Sequence, residues 1–298
     1  MAQHQAMHFE AVKVRDGRII AISEFGEPAG KPCLYFHGTG SSRLEARAYD
    51  SAAKKHGVRF IGLDRPGVGH SDPCPSRQLL DWADDVTDVA EALGIQRFAV
   101  AGMSGGGPHA LACASRYPER VLMALVINTA MPANDPELMR SLNGQTRLLV
   151  ALAGRAPWLL RSVILPLVSK SSSPDRLRQP RQRQALLRRM PTVDRELFSE
   201  PENFEAFIAT MKEGGRQGPQ GAFQDWVMIF ARQGWGFDPL ATSVPLEIFV
   251  GNEDASRLFD TRLSTAVPQA HIHWFPGGHY AFLAEPLLDK ICATIAAA

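Results

Sequence analysis

Apolar positions in this chain gather into short solid runs, separated by stretches with helical spacing. Cys33-Leu34-Tyr35-Phe36, Val58-Arg59-Phe60-Ile61-Gly62-Leu63, Phe98-Ala99-Val100-Ala101 and Val121 to Ile127 alternate little between apolar and polar. Runs of that kind are expected of strands buried on both faces of a parallel sheet. Between them lie helical patterns. Ser42 with Glu45 reads as a capping box opening a helix toward Gly57, and the segment from about Leu79 to Leu93 stops at Gly94. Ahead of these, Val12-Lys13-Val14 and Ile19-Ile20-Ala21-Ile22 flank Asp16-Gly17, the signature of a hairpin.

The alternation stops after Met131. From Pro132 to about Trp235 the pattern is helical, broken by Pro157, Pro166, Pro174, Pro180, Pro191, Pro201 and Pro219. It returns with Leu246-Glu247-Ile248-Phe249-Val250, a helical stretch near Ser256–Val267, the run His271-Ile272-His273-Trp274-Phe275 and a last helix. The expected organisation is therefore an α/β core from residues 1–131 and 237–298, with a helical insertion at 132–236. Its sheet should be mostly parallel and twisted, with helices on both faces.

Against this frame one motif stands out. Gly102-Met103-Ser104-Gly105-Gly106 follows a buried run and opens a helix containing Pro108 in its first turn. A G-x-S-x-G at that junction forces its serine onto a sharp, strained turn with the hydroxyl exposed above the sheet. A free serine hydroxyl is a poor nucleophile at neutral pH and needs a base, itself oriented by a third group. Strand ends supply both. Leu246 to Val250 runs into Gly251-Asn252-Glu253-Asp254, and His271 to Phe275 runs into Pro276-Gly277-Gly278-His279. Spacing alone leaves Glu253 and Asp254 both open as the acid.

Composition narrows the class. Lys+Arg 32 against Asp+Glu 31 gives a net charge of +1, which argues against a dedicated nucleic-acid binder. The four cysteines, Cys33, Cys74, Cys113 and Cys292, form no C-x-x-C and read as reduced thiols of a cytoplasmic protein. Residues Met1 to His8 lack the pattern of a signal peptide, and Leu148 to Val168 is interrupted by Arg155, Pro157, Arg161 and Pro166, so no membrane span is expected. Neither a metal-ligand spacing nor a nucleotide loop appears; Gly67-Val68-Gly69 is followed by Asp72 where a third glycine would stand. No cofactor and no metal are expected. The basic positions Lys170, Arg176, Arg178, Arg181, Arg183, Arg188 and Arg189 face one acid, Asp175, and read as a solvated helix face.

The elbow, His37-Gly38, Asp64-Arg65-Pro66-Gly67-Val68-Gly69-His70-Ser71-Asp72, Gly251-Asn252-Glu253-Asp254 and Gly277-Gly278-His279 together resemble the α/β-hydrolase fold over nearly the whole chain. The resemblance implies an inserted helical cap and a serine hydrolase acting on a carboxylic ester or related acyl substrate. It implies Ser104 as nucleophile, His279 as base and Asp254 as acid, in the chain order nucleophile, acid, histidine. Asp135, beyond the strand that ends near Asn128, is an alternative location for the acid that the resemblance also implies. The N–H of Gly105 and that of Thr39 would form the oxyanion hole, and His37 would shape that loop. Asp64 would order its loop, and His109, one turn past the serine, would be structural. Large apolar groups of the insertion (Met139, Trp158, Phe204, Phe207, Phe223, Trp226, Phe230, Trp235) should mostly pack together, a few facing Ser104.

Carbon–carbon bond hydrolases, perhydrolases and iminopeptidases share such a triad. Met103 stands where the first of these has asparagine. An iminopeptidase would need a cap carboxylate, for which Glu202, Glu205 and Glu213 are available. A slow-turnover ligand receptor is the reading from a different class. The expected partner is a small apolar acyl substrate, not nucleic acid.

Overall fold

The computed structural model describes residues 9–142, 144–164, 166–167, 173–231 and 233–298. Met1 to His8 and Lys170 fall outside that range. Eight strands form one sheet: β1 (Glu10–Lys13), β2 (Ile19–Gly26), β3 (Lys31–Phe36), β4 (Val58–Leu63), β5 (Phe98–Met103), β6 (Val121–Ile127), β7 (Leu246–Gly251) and β8 (Ala270–Phe275). Their order is β1-β2-β4-β3-β5-β6-β7-β8. The β1–β2 hairpin and the β2–β4 pair are antiparallel, and every later pair is parallel.

The solid apolar runs serve two cores at once. Successive side chains of a strand point to opposite faces, so Leu34, Phe36 and Val100 enter one cluster while Cys33, Tyr35, Ala99 and Ala101 enter the other. Helices α2 (Leu79–Ala92) and α3 (Gly106–Arg116) cover the first face through Trp82, Val86, Ala110 and Leu111. Ala53 of α1 (Asp50–His56) and Ile291 and Ile295 of the C-terminal helix Glu285–Ala297 cover the second.

One local expectation fails. The chain after Ser42 begins as a 3-10 turn over Arg43–Tyr49 and becomes α-helical only at Asp50, and no capping box forms. Tertiary partners take both side chains instead. The Ser42 hydroxyl bonds to that of Thr210 at 2.8 Å, and Glu45 accepts from the Tyr35 hydroxyl at 2.7 Å and the Gly38 N–H at 3.1 Å. Gly57 does end the helix, in the left-handed conformation.

Between β6 and β7 every described element is helical, including Pro136–Ser141, Gly144–Arg155, Pro180–Leu187, Thr192–Ser199, Pro201–Gly214 and Gln220–Ile229. Leu177, Phe198, Phe204 and Ile208 give this segment a small core of its own. The basic run is only partly solvated. Arg183 lies 4.4 Å from the Phe204 ring centroid and donates to the carbonyls of Phe198 and Ser199, where a helix leaves acceptors unpaired.

Buried ion pairs join the inserted helices to the core. Asp225, on Gln220–Ile229, receives Arg65 at 2.7 Å and Arg77 at 2.7 Å, all three side chains within 1% of full burial. Burial would push its carboxyl up, but the two guanidiniums hold it well below the usual carboxylate range. Arg43 likewise bridges Asp64 at 2.6 Å and Glu213, on Pro201–Gly214, at 2.7 Å. Asp64 thus orders its loop, accepting the His70 N–H at 3.2 Å and tying the loop to Arg43.

Removing Asp225 leaves two buried arginines without their shared counter-ion, so Asp225→Ala should cost about 3–5 kcal/mol in urea unfolding at pH 7. Because the folded-state value is depressed, this contribution is complete above the unfolded carboxylate value of about 4 and is lost as pH falls through the folded value. The gap between wild type and variant should therefore shrink in strongly acid solution.

Backbone contact gives a second test. A Cβ on Gly106 would lie 1.9 Å from the Phe36 carbonyl oxygen, whereas one on Gly144 would meet nothing within 4 Å. Thermal unfolding should show Gly106→Ala destabilised by roughly 3 kcal/mol or more, and Gly144→Ala unchanged or stabilised by about 0.4–1 kcal/mol.

Candidate active site

Carboxyl ends of parallel strands converge on one side of the sheet, and the loops there carry the candidate groups. Ser104 sits between β5 and α3 with φ of 51°; Asn128, just past β6, has φ of 45°, and no other described non-glycine residue has a positive φ. The serine is held in this strained region by its backbone. Its N–H donates to the Ile127 carbonyl at 2.8 Å, and its carbonyl accepts from Gly107 at 3.0 Å and Ala130 at 3.0 Å.

Asp254 follows β7 and His279 follows β8. Imidazole Nδ1 lies 2.7 Å from Asp254 Oδ2, while Asp254 Oδ1 accepts the Ser256 N–H at 2.8 Å. With the carboxylate ionised, Nδ1 carries the proton and Nε2 is left as the basic nitrogen. Burial acts against both charges, but the attraction between Asp254 and His279 and their hydrogen bond outweigh it. The carboxyl is held below its ordinary value, and the imidazole is raised above its own. Glu253 is exposed. Asp135 instead caps the helix Pro136–Ser141 and pairs with Arg262, so neither alternative acid meets His279.

The loop after β3 closes the other side. A Cβ on Gly105 would meet Thr39 Oγ1 at 2.0 Å, and one on Gly38 would stand 3.7 Å from Ser104 Cβ, so this loop lies against the elbow. Gly38 is tied to Glu45, and the His37 carbonyl accepts from Arg65 at 2.6 Å. The His37 imidazole is buried with Nδ1 2.8 Å from the Gly38 carbonyl; burial and Arg65 push its pKa well down. His109 is buried against Trp82, with Nδ1 2.7 Å from the Gly105 carbonyl. His271 and His273 pair with Glu247 on the neighbouring strand.

Thr39, Ser104, Gly105, Asp254 and His279 all line one cavity of about 240 Å³. Its remaining wall includes Met131, Leu142, Trp226, Ile229 and Phe230, all but Met131 on an inserted helix or directly after one. Of the large apolar groups in that segment, Trp226 and Phe230 face the cavity, Phe204 is buried, and Trp158 is exposed at 68%. A larger open depression of about 540 Å³, beside Gly94, Arg97 and Arg120, lies at the amino ends of β5 and β6, away from Ser104. Among the described residues no cluster of histidine, cysteine or carboxylate side chains could hold a metal ion, and no helix is long and apolar enough to cross a membrane.

Several supporting residues were not anticipated from the sequence. Asn128 ties three strand ends together: its Oδ1 accepts the Gly251 N–H at 2.8 Å, and its Nδ2 donates to the carbonyls of Gly278 and His279. Asparagine tolerates positive φ better than most residues, which is the one sequence cue it carried. Ser256 donates to buried Asp260 at 2.7 Å, behind the Asp254 carboxylate. Asp194 accepts the N–H groups of Gly278 and Tyr280.

Comparison with known proteins agrees with this architecture. A family model described as the alpha/beta hydrolase fold matches residues 31–286. Similar experimental structures include a thermophilic esterase from Thermogutta terrifontis, with 20% identity and a TM-score of 0.69, covering 97% of this chain and 96% of that one. A bromoperoxidase from Bacillus anthracis has 16% identity and a TM-score of 0.72, covering 98% and 100%. Among curated relatives, a bifunctional esterase/perhydrolase from Acinetobacter calcoaceticus is 32% identical over 123 residues, 41% of this chain and 44% of that protein. A proline iminopeptidase from Neisseria gonorrhoeae is 32% identical over 123 residues, 39% and 38%. The chain thus spans less than half the length of these curated relatives. With the family model covering most of the sequence and this strand order in the sheet, the chain belongs to the alpha/beta hydrolase fold family.

Proposed function

We propose that this protein is a serine hydrolase that cleaves a short-chain carboxylic ester through an acyl-enzyme. The observation that carries the reading is the shared cavity: Ser104 at its strained turn opens onto the same space as the hydrogen-bonded Asp254–His279 pair. In this reading Ser104 Oγ attacks the acyl carbonyl while His279 Nε2 takes its proton, and Asp254 stabilises the imidazolium that forms. The N–H groups of Gly105 and Thr39 would receive the developing oxyanion. His279 then returns the proton to the departing alcohol, and water activated by the same imidazole releases the acid.

Residues 132–236 act as a cap in this proposal, supplying apolar walls that exclude water. The cavity, about 240 Å³, is smaller than the roughly 300–1,000 Å³ of drug-sized ligand sites, which favours a compact acyl group. Among the described residues its only lining carboxylate is Asp254, engaged by His279. Glu202 is exposed, Glu205 pairs with Arg178 and Glu213 with Arg43, and none of the three lines the cavity. That gives a substrate ammonium no counter-charge and disfavours an iminopeptidase. The same acyl-enzyme released to hydrogen peroxide would yield a peracid, the second activity named for the Acinetobacter relative; the apolar wall suits it equally.

Steady-state release of p-nitrophenol from acetate and butyrate esters should be measurable, and Ser104→Ala should lower it roughly 10⁴–10⁶-fold. No turnover by the wild type, together with saturable binding of the ester, would favour the receptor reading and end this one. Trp226→Ala should move the preferred acyl chain toward longer esters, read as a ratio of kcat/KM across a chain-length series. An unchanged ratio would remove Trp226 from the acyl site.

A further inference from the structure

We propose that Asp194, on the inserted helix Thr192–Ser199, is a positioning residue for His279, clamping the backbone on both sides of the imidazole-bearing residue. The inference rests on the reading of His279 as general base. Oδ2 of Asp194 accepts the Gly278 N–H at 2.7 Å, and Oδ1 accepts the Tyr280 N–H at 2.7 Å. The carboxylate is 1% exposed, so water does not compete for these bonds. Charge-assisted bonds to backbone N–H groups are stronger than neutral ones, and here one side chain makes two of them across a single residue.

Packing around the clamp leaves the loop little freedom. A Cβ on Gly277 would lie 2.9 Å from Val193 Cβ, and one on Gly278 would lie 2.6 Å from Pro191 Cγ. Gly277 is required by its own turn as well, with φ of 101° and Ala281 Cβ at 2.6 Å, whereas Gly278 is confined by the start of the inserted helix. On the far side the Tyr280 ring sits 5.2 Å from Phe198 and 5.4 Å from Phe207, both on inserted helices. His279 therefore cannot shift unless this part of the insertion shifts with it.

The carboxylate also adds negative charge near the imidazole. Groups that bear on His279 are Asp254, which bonds it, Asp194 and Glu45 through their charge, and the Tyr280 ring at 5.2 Å. Three of these are carboxylates from separate elements, and each favours the imidazolium that serine attack would generate. Asp194 touches no substrate in this arrangement. It acts through the loop's position and through its field.

The test compares the full-length wild type with Asp194→Asn, which keeps the side chain's shape and one acceptor oxygen but removes the charge. The His279 imidazole, assigned by loss of its signal in His279→Gln, is titrated by NMR, and kcat and KM are measured on a short-chain ester. The imidazole pKa should fall by about one unit, and kcat should drop about tenfold or more with KM changed less than about threefold. An unmoved imidazole, or an unchanged kcat in an active enzyme, overturns the proposal.

Two readouts need no turnover. The titration can be done on an inactive protein, so a shifted imidazole in a wild type that cleaves no ester would sink the hydrolase reading and leave the clamp standing. If Asp194→Asn does not fold, amide exchange in the wild type decides instead. Gly278 and Tyr280 N–H should be protected far beyond that of His279 between them, and equal exchange at all three would end the proposal.

Discussion

At the junction of β5 and α3, the backbone runs against neighbouring backbone and the Thr129 side chain with no room for a Cβ between. Cβ atoms on Gly102, Gly106 and Gly107 would fall within 2.5 Å of Gly106 O, Phe36 O and Thr129 Oγ1 respectively. This close approach is what lets α3 fold back over the sheet directly after the strand. The tightness of the reversal leaves Ser104 at φ of 51°, at an energetic cost that the surrounding hydrogen bonds hold in place. Lose the approach, and the serine relaxes away from the strand ends where Asp254 and His279 wait. Everything proposed about chemistry follows from that steric constraint.

Around it, buried charge joins apolar packing in fixing how the inserted helices meet the core, where Leu138, Val150 and Met228 enter the main cluster. Three carboxylates of the insertion reach across, two buried and one half-buried: Asp225 to Arg65 and Arg77, Asp194 to the loop carrying His279, and Glu213 to Arg43. Buried ion pairs contribute little net stability compared with well-packed apolar groups, but breaking one is expensive. Their effect is to make misplacement costly. Arg65 illustrates the consequence, since its guanidinium bonds Asp225 in the insertion and the His37 carbonyl beside Thr39 at once. The loop proposed to hold the oxyanion and the wall proposed to hold the acyl group are set by the same cation.

What the sequence disclosed and what it withheld divide along physical lines. Solid apolar runs marked the strands because a sheet covered on both faces leaves no polar alternation, and Val121–Ile127 appears in the structure with the bounds read from the pattern. The elbow was legible because glycine spacing is a steric requirement written in consecutive residues. Ser42 and Glu45 misled, since the local capping pattern they spell was outbid by Thr210, Tyr35 and Gly38, none of them nearby in helical register. Asn128 and Asp194 were unreadable for a related reason. Each acts by bonding the backbone of residues far away in the chain, and backbone groups are the same whatever the sequence.

The cavity itself is assembled from two sources with different rules. Core loops bring the polar groups, Ser104, Asp254, His279 and the Thr39–Gly105 pair, each fixed by strand register and short turns. Helix Gln220–Ile229 brings Trp226 and Ile229, with Phe230 directly after it, and Leu142 comes from the other end of the insertion. Any group of similar bulk could line that wall without disturbing a hydrogen bond, because its contribution is volume and dryness. The polar set admits no such exchange. A motif search therefore finds the reaction class quickly and says little about the substrate, since the residues that would choose the substrate obey only the loose requirement of filling space.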